Sequence, residues 1–361
     1  MLGDLLRRTK LGARIRGALR HDAEEAMKPL RKELRRLAKD VEALQATLQE
    51  TAVRAARGDR ASSQLRLMLE LNEQQRDRLA TLPDLLDERR IQAHVARAIA
   101  AAPIQFEPFE HIVVDEVLPP ALYDLLLSAI PPEPFFQDHD RIKQDMHFPI
   151  TFGPALGTTV WNFVDAVLAR RAIQPAVLEK FHEPLQGHFD TVFGPSVRAQ
   201  ANALPQLSSG GRLMLRRAGY HLDPHRDPKR SLLTCLLYLA RPGDSEAHGT
   251  QLFRVIGDRE ANYKQTYYPE ADGQRCELAD VVPFRPNRML AFMNSRGAHG
   301  ATIPADAGEV ERYTYQFYVA PENEALGALI RKLPRERRTM WQNKNKLGRA
   351  SSAPNSNLIC A

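Results

Sequence analysis

The stretch Gly219–Asp227 reads GYHLDPHRD and follows an apolar run, Arg212–Arg217, with the texture of a β-strand. In extended backbone alternate side chains share a face, so His225 and Asp227, one residue apart, point the same way. An imidazole and a carboxylate on one face can grip two adjacent positions of a metal ion. Downstream, the apolar run Arg288–Phe292 leads into MNSRGAHGA (293–301), which presents His299 between two close glycines. His299 lies seventy-two residues after Asp227 and is expected to complete the ligand set.

Two histidines and one carboxylate on one side of an octahedron are the ligands of a mononuclear iron(II) site whose other side stays open. A zinc enzyme uses similar ligands with one open position, and at this level that alternative stays open. Thirteen residues after His299 the segment RYTYQFYVA opens with Arg312. With a period of two, Arg312, Thr314, Gln316 and Tyr318 share one face, and Tyr313, Tyr315, Phe317 and Val319 the other. An arginine on an inward face needs an anionic partner, because a buried unpaired charge is costly. A bidentate bond to a ligand carboxylate would supply one.

A second His-x-Asp, His221-Leu222-Asp223, competes for the metal. Other polar residues read as structural. Asn294 orients a loop or reaches a substrate, Thr234 and Tyr238 are core positions or face the interior beside a ligand, and Cys235 is a small buried hydrophobe. The polar stretch Ile256–Pro286, with Tyr263, Tyr267 and Tyr268, reads as a lid or binding loop.

Taken together, GYHLDPHRDPKRSLLTCLLYLARP (219–242), GTQLFR (249–254), MLAFMNSRGAHGA (289–301) and ERYTYQFYVA (311–320) resemble the iron(II)- and 2-oxoglutarate-dependent oxygenases. The nearest branch is the prolyl-hydroxylase-like one. PFEHIVVDEVLPPALYDLL (108–126) is similar to that family's usual first strand and helix, so the likeness covers about residues 103–320. It implies an α+β chain whose oxygenase domain is a double-stranded β-helix, a jelly-roll or cupin-like barrel. It implies His225, Asp227 and His299 as catalytic iron(II) ligands, Arg312 as the 2-oxoglutarate anchor, Tyr220 as a further co-substrate contact, and ascorbate as an accessory reductant. The family's Pro before the ligand histidine selects His225 over His221, since Pro224 precedes His225. The pattern departs at Arg216, where many members carry a tyrosine. It departs again at Arg312, where many prolyl hydroxylases carry a lysine.

The implied activity is hydroxylation of an unidentified substrate, a protein side chain or a small molecule, with release of succinate and CO2. Two other readings stay open: a non-catalytic coiled-coil scaffold with a degenerate barrel, and a zinc-dependent hydrolase on a cupin-like barrel.

The 361 residues are 43% hydrophobic and 26% charged, enough for a sizeable core with an appendage. Charge is uneven. Residues 1–100 carry 21 Lys+Arg against 15 Asp+Glu, residues 101–330 carry 21 against 28, and residues 331–361 carry 8 against 1. The acidic middle disfavours a nucleic-acid-binding core, while the basic ends suit an anionic partner. Three separated cysteines match neither a disulfide framework nor zinc spacing, so a reducing, cytoplasmic compartment is expected. No run of 18 apolar residues exists, so no transmembrane segment is expected.

Met27, Leu30, Leu34, Leu37, Val41, Leu44 and Leu48 keep a 3,4 spacing. That predicts a coiled-coil helix and a homo-oligomer through residues 23–50. A single amphipathic helix folded onto its own domain fits the same pattern. The expected division is a helical region at 1–102, an oxygenase domain at 103–330, and a basic disordered tail at 331–361.

Overall fold

The computed structural model describes residues 36, 39, 42, 58–140, 145–259, 265–339 and 341. The predicted coiled coil at 23–50 lies outside these residues, apart from three isolated helical positions. The chain divides into two compact units, Met1–Leu67 and Met68–Ala361. In the first, every described residue is helical.

The second unit is mixed helix and sheet, and its described strands pair antiparallel. They are β1 (His111–Val114), β2 (Gln137–Asp140), β3 (Asp145–Phe148), β4 (Gln206–Arg216), β5 (His221–His225), β6 (Leu233–Tyr238), β7 (Thr250–Ile256), β8 (Arg275–Val282), β9 (Met289–Met293), β10 (Ala298–Thr302) and β11 (Arg312–Pro321). One sheet runs β1-β9-β6-β11-β4-β3-β2 and the other β5-β10-β7-β8. From β4 to β11 the chain crosses repeatedly between the two sheets.

The large sheet is covered on both faces, which its sequence shows. β6 (LTCLLY) and β9 (MLAFM) are buried at every residue. One face meets the small sheet and the other meets helices. The same unit holds α1 (Arg76–Leu85), α2 (Glu88–Ala101), α3 (Pro120–Ser128), α4 (Ala155–Phe163), α5 (Gln174–Lys180), α6 (His182–Val192) and α7 (Arg198–Asn202), with a wide-turned π-helical stretch, Val164–Ile173, joining α4 to α5 and packing on β4. Asp87 caps α2 by accepting from the Arg90 amide. The helix buries Ile91, Val95 and Ile99, spaced by four, against the π-helical stretch and α5. On β11 the outward residues Tyr313 and Tyr315 are buried because helices cover them, and Trp161 of α4 stacks on Tyr315 at 5.7 Å.

Several elements differ from expectation. The predicted strands around β1, β4, β6, β7, β9 and β11 all form, but β2, β3, β5, β8 and β10 were not foreseen. β5 (HLDPH) and β10 (AHGAT) are polar or glycine-containing because they carry the site. β8 sits at a sheet edge, so its faces are largely exposed and it lacks an apolar stripe. Within 256–286 the described residues therefore include the paired strand β8, and Tyr263 lies outside the described residues. The helices between 155 and 202 read as mixed segments because proline and glycine interrupt their period. At the chain's end, α8 (Asn323–Lys332) and a short helix, Arg335–Thr339, are ordered, and Trp341 is buried and stacked on Phe193 at 4.6 Å. Of the basic tail expected from 331, residues 331–339 and 341 are described, and they include helical turns and the buried Trp341. Trp341 and Leu333 supply the apolar surface that anchors this segment.

Candidate metal centre

Strand register joins the two histidines. β10 pairs with β5 so that His299 lies directly opposite His225. Opposed residues of an antiparallel pair project to the same face a few ångströms apart. The rings accordingly lie 4.1 Å apart, and Asp227, just past the end of β5, brings its carboxylate alongside. One ligand atom from each of His225, Asp227 and His299 falls within 4.8 Å of the other two, and all three side chains are buried. His299 Nε2 stands 3.8 Å from Asp227 Oδ2. Among the described residues this is the one cluster of histidine, cysteine and carboxylate groups with metal-binding geometry.

The surrounding bonds fix each ligand. His225 Nδ1 lies 2.9 Å from the Asp223 carbonyl. A carbonyl only accepts, so Nδ1 carries the hydrogen and Nε2 presents its lone pair, the usual way a metal-bound histidine is oriented. Thr234 of β6 donates to Asp227 Oδ2 at 2.7 Å, and Asn294 donates to Thr234 Oγ1 at 2.9 Å and to the Ser231 carbonyl at 2.6 Å. Tyr318 donates to Asp227 Oδ1 at 3.4 Å. Burial, then the Asp227 charge, pushes the Tyr318 phenol well above its ordinary range, so it remains a donor. Phe292 packs on the His299 ring at 4.6 Å and Tyr268 lies 5.7 Å from His225.

Arg226, between the two ligands, is buried and turned away from the metal. Its guanidinium donates to the carbonyls of Gly297 (2.9 Å), Arg259 (3.0 Å) and Ser295 (3.4 Å) and pairs with Asp258. Asp258 in turn accepts from the Gly297 amide at 2.8 Å. Arg226 also exchanges two backbone bonds of 2.8 Å with Tyr267. One side chain thus ties the segment before His299 to the segment carrying His225 and Asp227.

The metal ligands face a cavity whose lining includes Arg216, Tyr220, Thr250, Arg312, Thr314, Gln316 and Tyr318. The inward face expected of β11 is the one that lines it. Arg312 is 3% exposed. Its Nε donates to the His248 carbonyl at 2.5 Å, and its guanidinium lies against Tyr238 and Phe284. None of the described carboxylates pairs with it. Burial, with the Arg216 charge adding to it, lowers its pKa to about 10, so it is still a cation at neutral pH. Tyr220 is 1% exposed in the same lining, beneath the Arg216 guanidinium.

The competing pair does not join the metal group. His221 and Asp223 bond to one another at 2.9 Å, and their side chains are 60% and 68% exposed. Cys235 is fully buried, as expected, and burial raises its thiol pKa. Thr234 and Asn294, read as structural, prove to be the support of Asp227. Their signal was a hydroxyl and an amide inside otherwise apolar runs. His248, without an assigned role in the sequence, holds Arg312 through its backbone.

The donor set fits a divalent metal with open positions: two imidazoles, one carboxylate and a polar cavity beside them. It is the set expected for iron(II), and among the described residues no cysteine lines the cavity.

No protein-family model matches the chain, and no curated protein matches it. Solved structures do. A prolyl hydroxylase from Trichoplax adhaerens, in complex with a hypoxia inducible factor oxygen degradation domain peptide fragment, is 15% identical with a TM-score of 0.38, covering 68% of this chain and 96% of its own. A Pseudomonas putida prolyl-4-hydroxylase is 15% identical with a TM-score of 0.35, covering 63% and 99%. HygX from Streptomyces hygroscopicus, with nickel, 2-oxoglutarate and hygromycin B bound, is 13% identical with a TM-score of 0.35, covering 59% and 83%.

Proposed function

We propose that this chain is an iron(II)- and 2-oxoglutarate-dependent oxygenase that hydroxylates its substrate. The observation that carries the reading is the convergence of His225, Asp227 and His299 on one point, in a cavity that also holds the buried cation Arg312. The two-sheet order, with β5-β10-β7-β8 facing β4, β6, β9 and β11, is read as a jelly roll. The oxygenase domain corresponds to residues 103–330.

In this reading His225, Asp227 and His299 hold the iron. Bound iron(II) and 2-oxoglutarate supply the oxidising chemistry, in which dioxygen is consumed and succinate and CO2 are released. The protein's own groups bind and orient. His225 keeps its Nε2 lone pair turned inward because Nδ1 is tied to Asp223. Thr234 and Tyr318 hold the Asp227 carboxylate. Arg312 meets the far carboxylate of the co-substrate with the two terminal nitrogens that His248 leaves available, a bidentate geometry suited to a guanidinium. The aromatic residues Phe292, Tyr238 and Phe284 keep the surroundings dry, which strengthens each electrostatic contact.

The test is anaerobic addition of iron(II) and 2-oxoglutarate to the purified protein. A weak visible charge-transfer band is expected, and His225→Ala removes it. If wild-type protein with saturating iron(II) and 2-oxoglutarate shows no band, or if turnover proceeds with zinc in the absence of oxygen, the reading is wrong.

A further inference from the structure

Strand register places a second buried cation directly beside the first. β11 pairs with β4 so that Arg312 lies opposite Arg216, and β3 pairs with β4 so that Asp145 lies opposite Arg216 on its other side. Asp145, Arg216 and Arg312 thus form one row across the large sheet, and all three line the metal cavity. Arg216 and Arg312 are 5% and 3% exposed. Like charges directly opposite one another on a sheet face destabilise it, and burial removes the water that would screen them.

What Arg216 touches does not neutralise it. Its Nη1 donates to the Thr314 hydroxyl, and its guanidinium lies 5.1 Å over the Tyr220 ring. Asp145 is next in the row, yet neither it nor any other described carboxylate forms an ion pair with Arg216. The Arg216 Nε is buried with no hydrogen-bond partner. A buried charged donor left unmade is costly, so such a group signals a ligand.

From this row we propose that Arg216 and Arg312 together form a two-guanidinium clamp on the distal carboxylate of the 2-oxo acid, so that the site requires a dicarboxylate. The proposal rests on the oxygenase reading above. The geometry is that of facing forks. Arg312 spends its Nε on a backbone carbonyl and keeps two terminal nitrogens, while Arg216 keeps its Nε and its second terminal nitrogen. Thr314, two residues along the inward face of β11, steers Arg216 across the strand towards Arg312. Tyr220 supports it from below, a positioning role in place of direct contact with the co-substrate. A single anion between the two guanidiniums relieves their repulsion and supplies the missing acceptor at once.

The test compares 2-oxoglutarate with 2-oxopentanoate, the same 2-oxo acid lacking the distal carboxylate. Apparent Kd values are read anaerobically from the visible band of the iron(II) protein. Arg216→Met is expected to raise the Kd for 2-oxoglutarate at least about 30-fold, the loss typical for one arm of a buried charge pair. The Kd for 2-oxopentanoate should change by less than about threefold, and Arg216→Lys should recover part of the loss. An Arg216→Met protein with retained Tm and iron(II) affinity that binds 2-oxoglutarate as the wild type does overturns the clamp. Should Arg216→Met not fold, Arg312→Met decides the question. With Arg216 still in place it should prefer 2-oxoglutarate over 2-oxopentanoate at least about tenfold, and complete loss of that preference overturns the clamp. A wild-type protein that shows no band with either acid refutes the oxygenase reading itself, which is a different outcome from a band that ignores Arg216.

Discussion

Replacing Thr234 with valine tests whether the metal carboxylate is held as the structure indicates. The side chains have nearly the same volume, so the change opens no cavity; it removes one hydroxyl. That hydroxyl donates to Asp227 Oδ2 at 2.7 Å and accepts from Asn294 at 2.9 Å. A buried hydrogen bond to a charged group contributes about 1.5 to 3 kcal/mol. At 1.4 kcal/mol per tenfold this predicts a loss of metal affinity of about 10- to 100-fold, the range seen when partners of metal ligands are removed. Asn294 keeps its bond to the Ser231 carbonyl, so the fold should persist. The assay is anaerobic competition for iron(II) between the protein and a chromophoric chelator, with Tm measured alongside. Asn294→Ala should weaken binding less, and the double variant should lose little beyond Thr234→Val, because both act through one hydroxyl. An iron(II) Kd within about twofold of wild type, in a folded Thr234→Val protein, refutes the idea that this bond orients Asp227.

Arg226→Met leaves Asp258 and three carbonyls without their buried partner; unfolding should become easier by about 3 to 5 kcal/mol, read as a fall in Tm on the order of 10 °C. Gly297→Ala places a Cβ 2.2 Å from the Phe109 ring at a residue whose φ is +68°. A cost of roughly 1 to 3 kcal/mol is expected in denaturant titrations, together with weaker metal binding because His299 follows two residues later. Burial raises the Tyr123 and Tyr313 phenols from 10.0 to about 12. The unfolded chain therefore loses these protons first, and their contribution to stability is intact below about pH 10 and lost as pH rises towards 12. Denaturant midpoints should fall across that window, and Tyr123→Phe should flatten part of the fall.

Much of the site was legible in the sequence because its groups sit where strands start and end. The one-residue gap between His225 and Asp227 forces a shared face on any extended backbone, and the inward face of β11 follows from alternation alone. The proline before His225 favoured it over His221, and the structure leaves His221 and Asp223 at the surface with each other. The strands that were missed are those whose residues serve the site or an edge in place of the core: β2, β3, β5, β8 and β10 lack an apolar stripe, so no periodicity marks them. Thr234 reads as a core residue because its neighbours on β6 are apolar, and its hydroxyl acquires a role only when β6 lies beside Asp227.

Local pattern by itself determined five strands of the large sheet (β1, β4, β6, β9 and β11), the candidate ligands and the buried arginine of β11. These depend on spacing within a few residues, and extended backbone converts spacing directly into facing. Tertiary structure alone decided the rest: that His299 stands opposite His225, that Arg226 ties two ligand-bearing segments together, and that Arg216 lies against Arg312. Each of these is a pairing between residues far apart in the chain. It is fixed by sheet register and by the burial that register creates, and no spacing along the sequence encodes it.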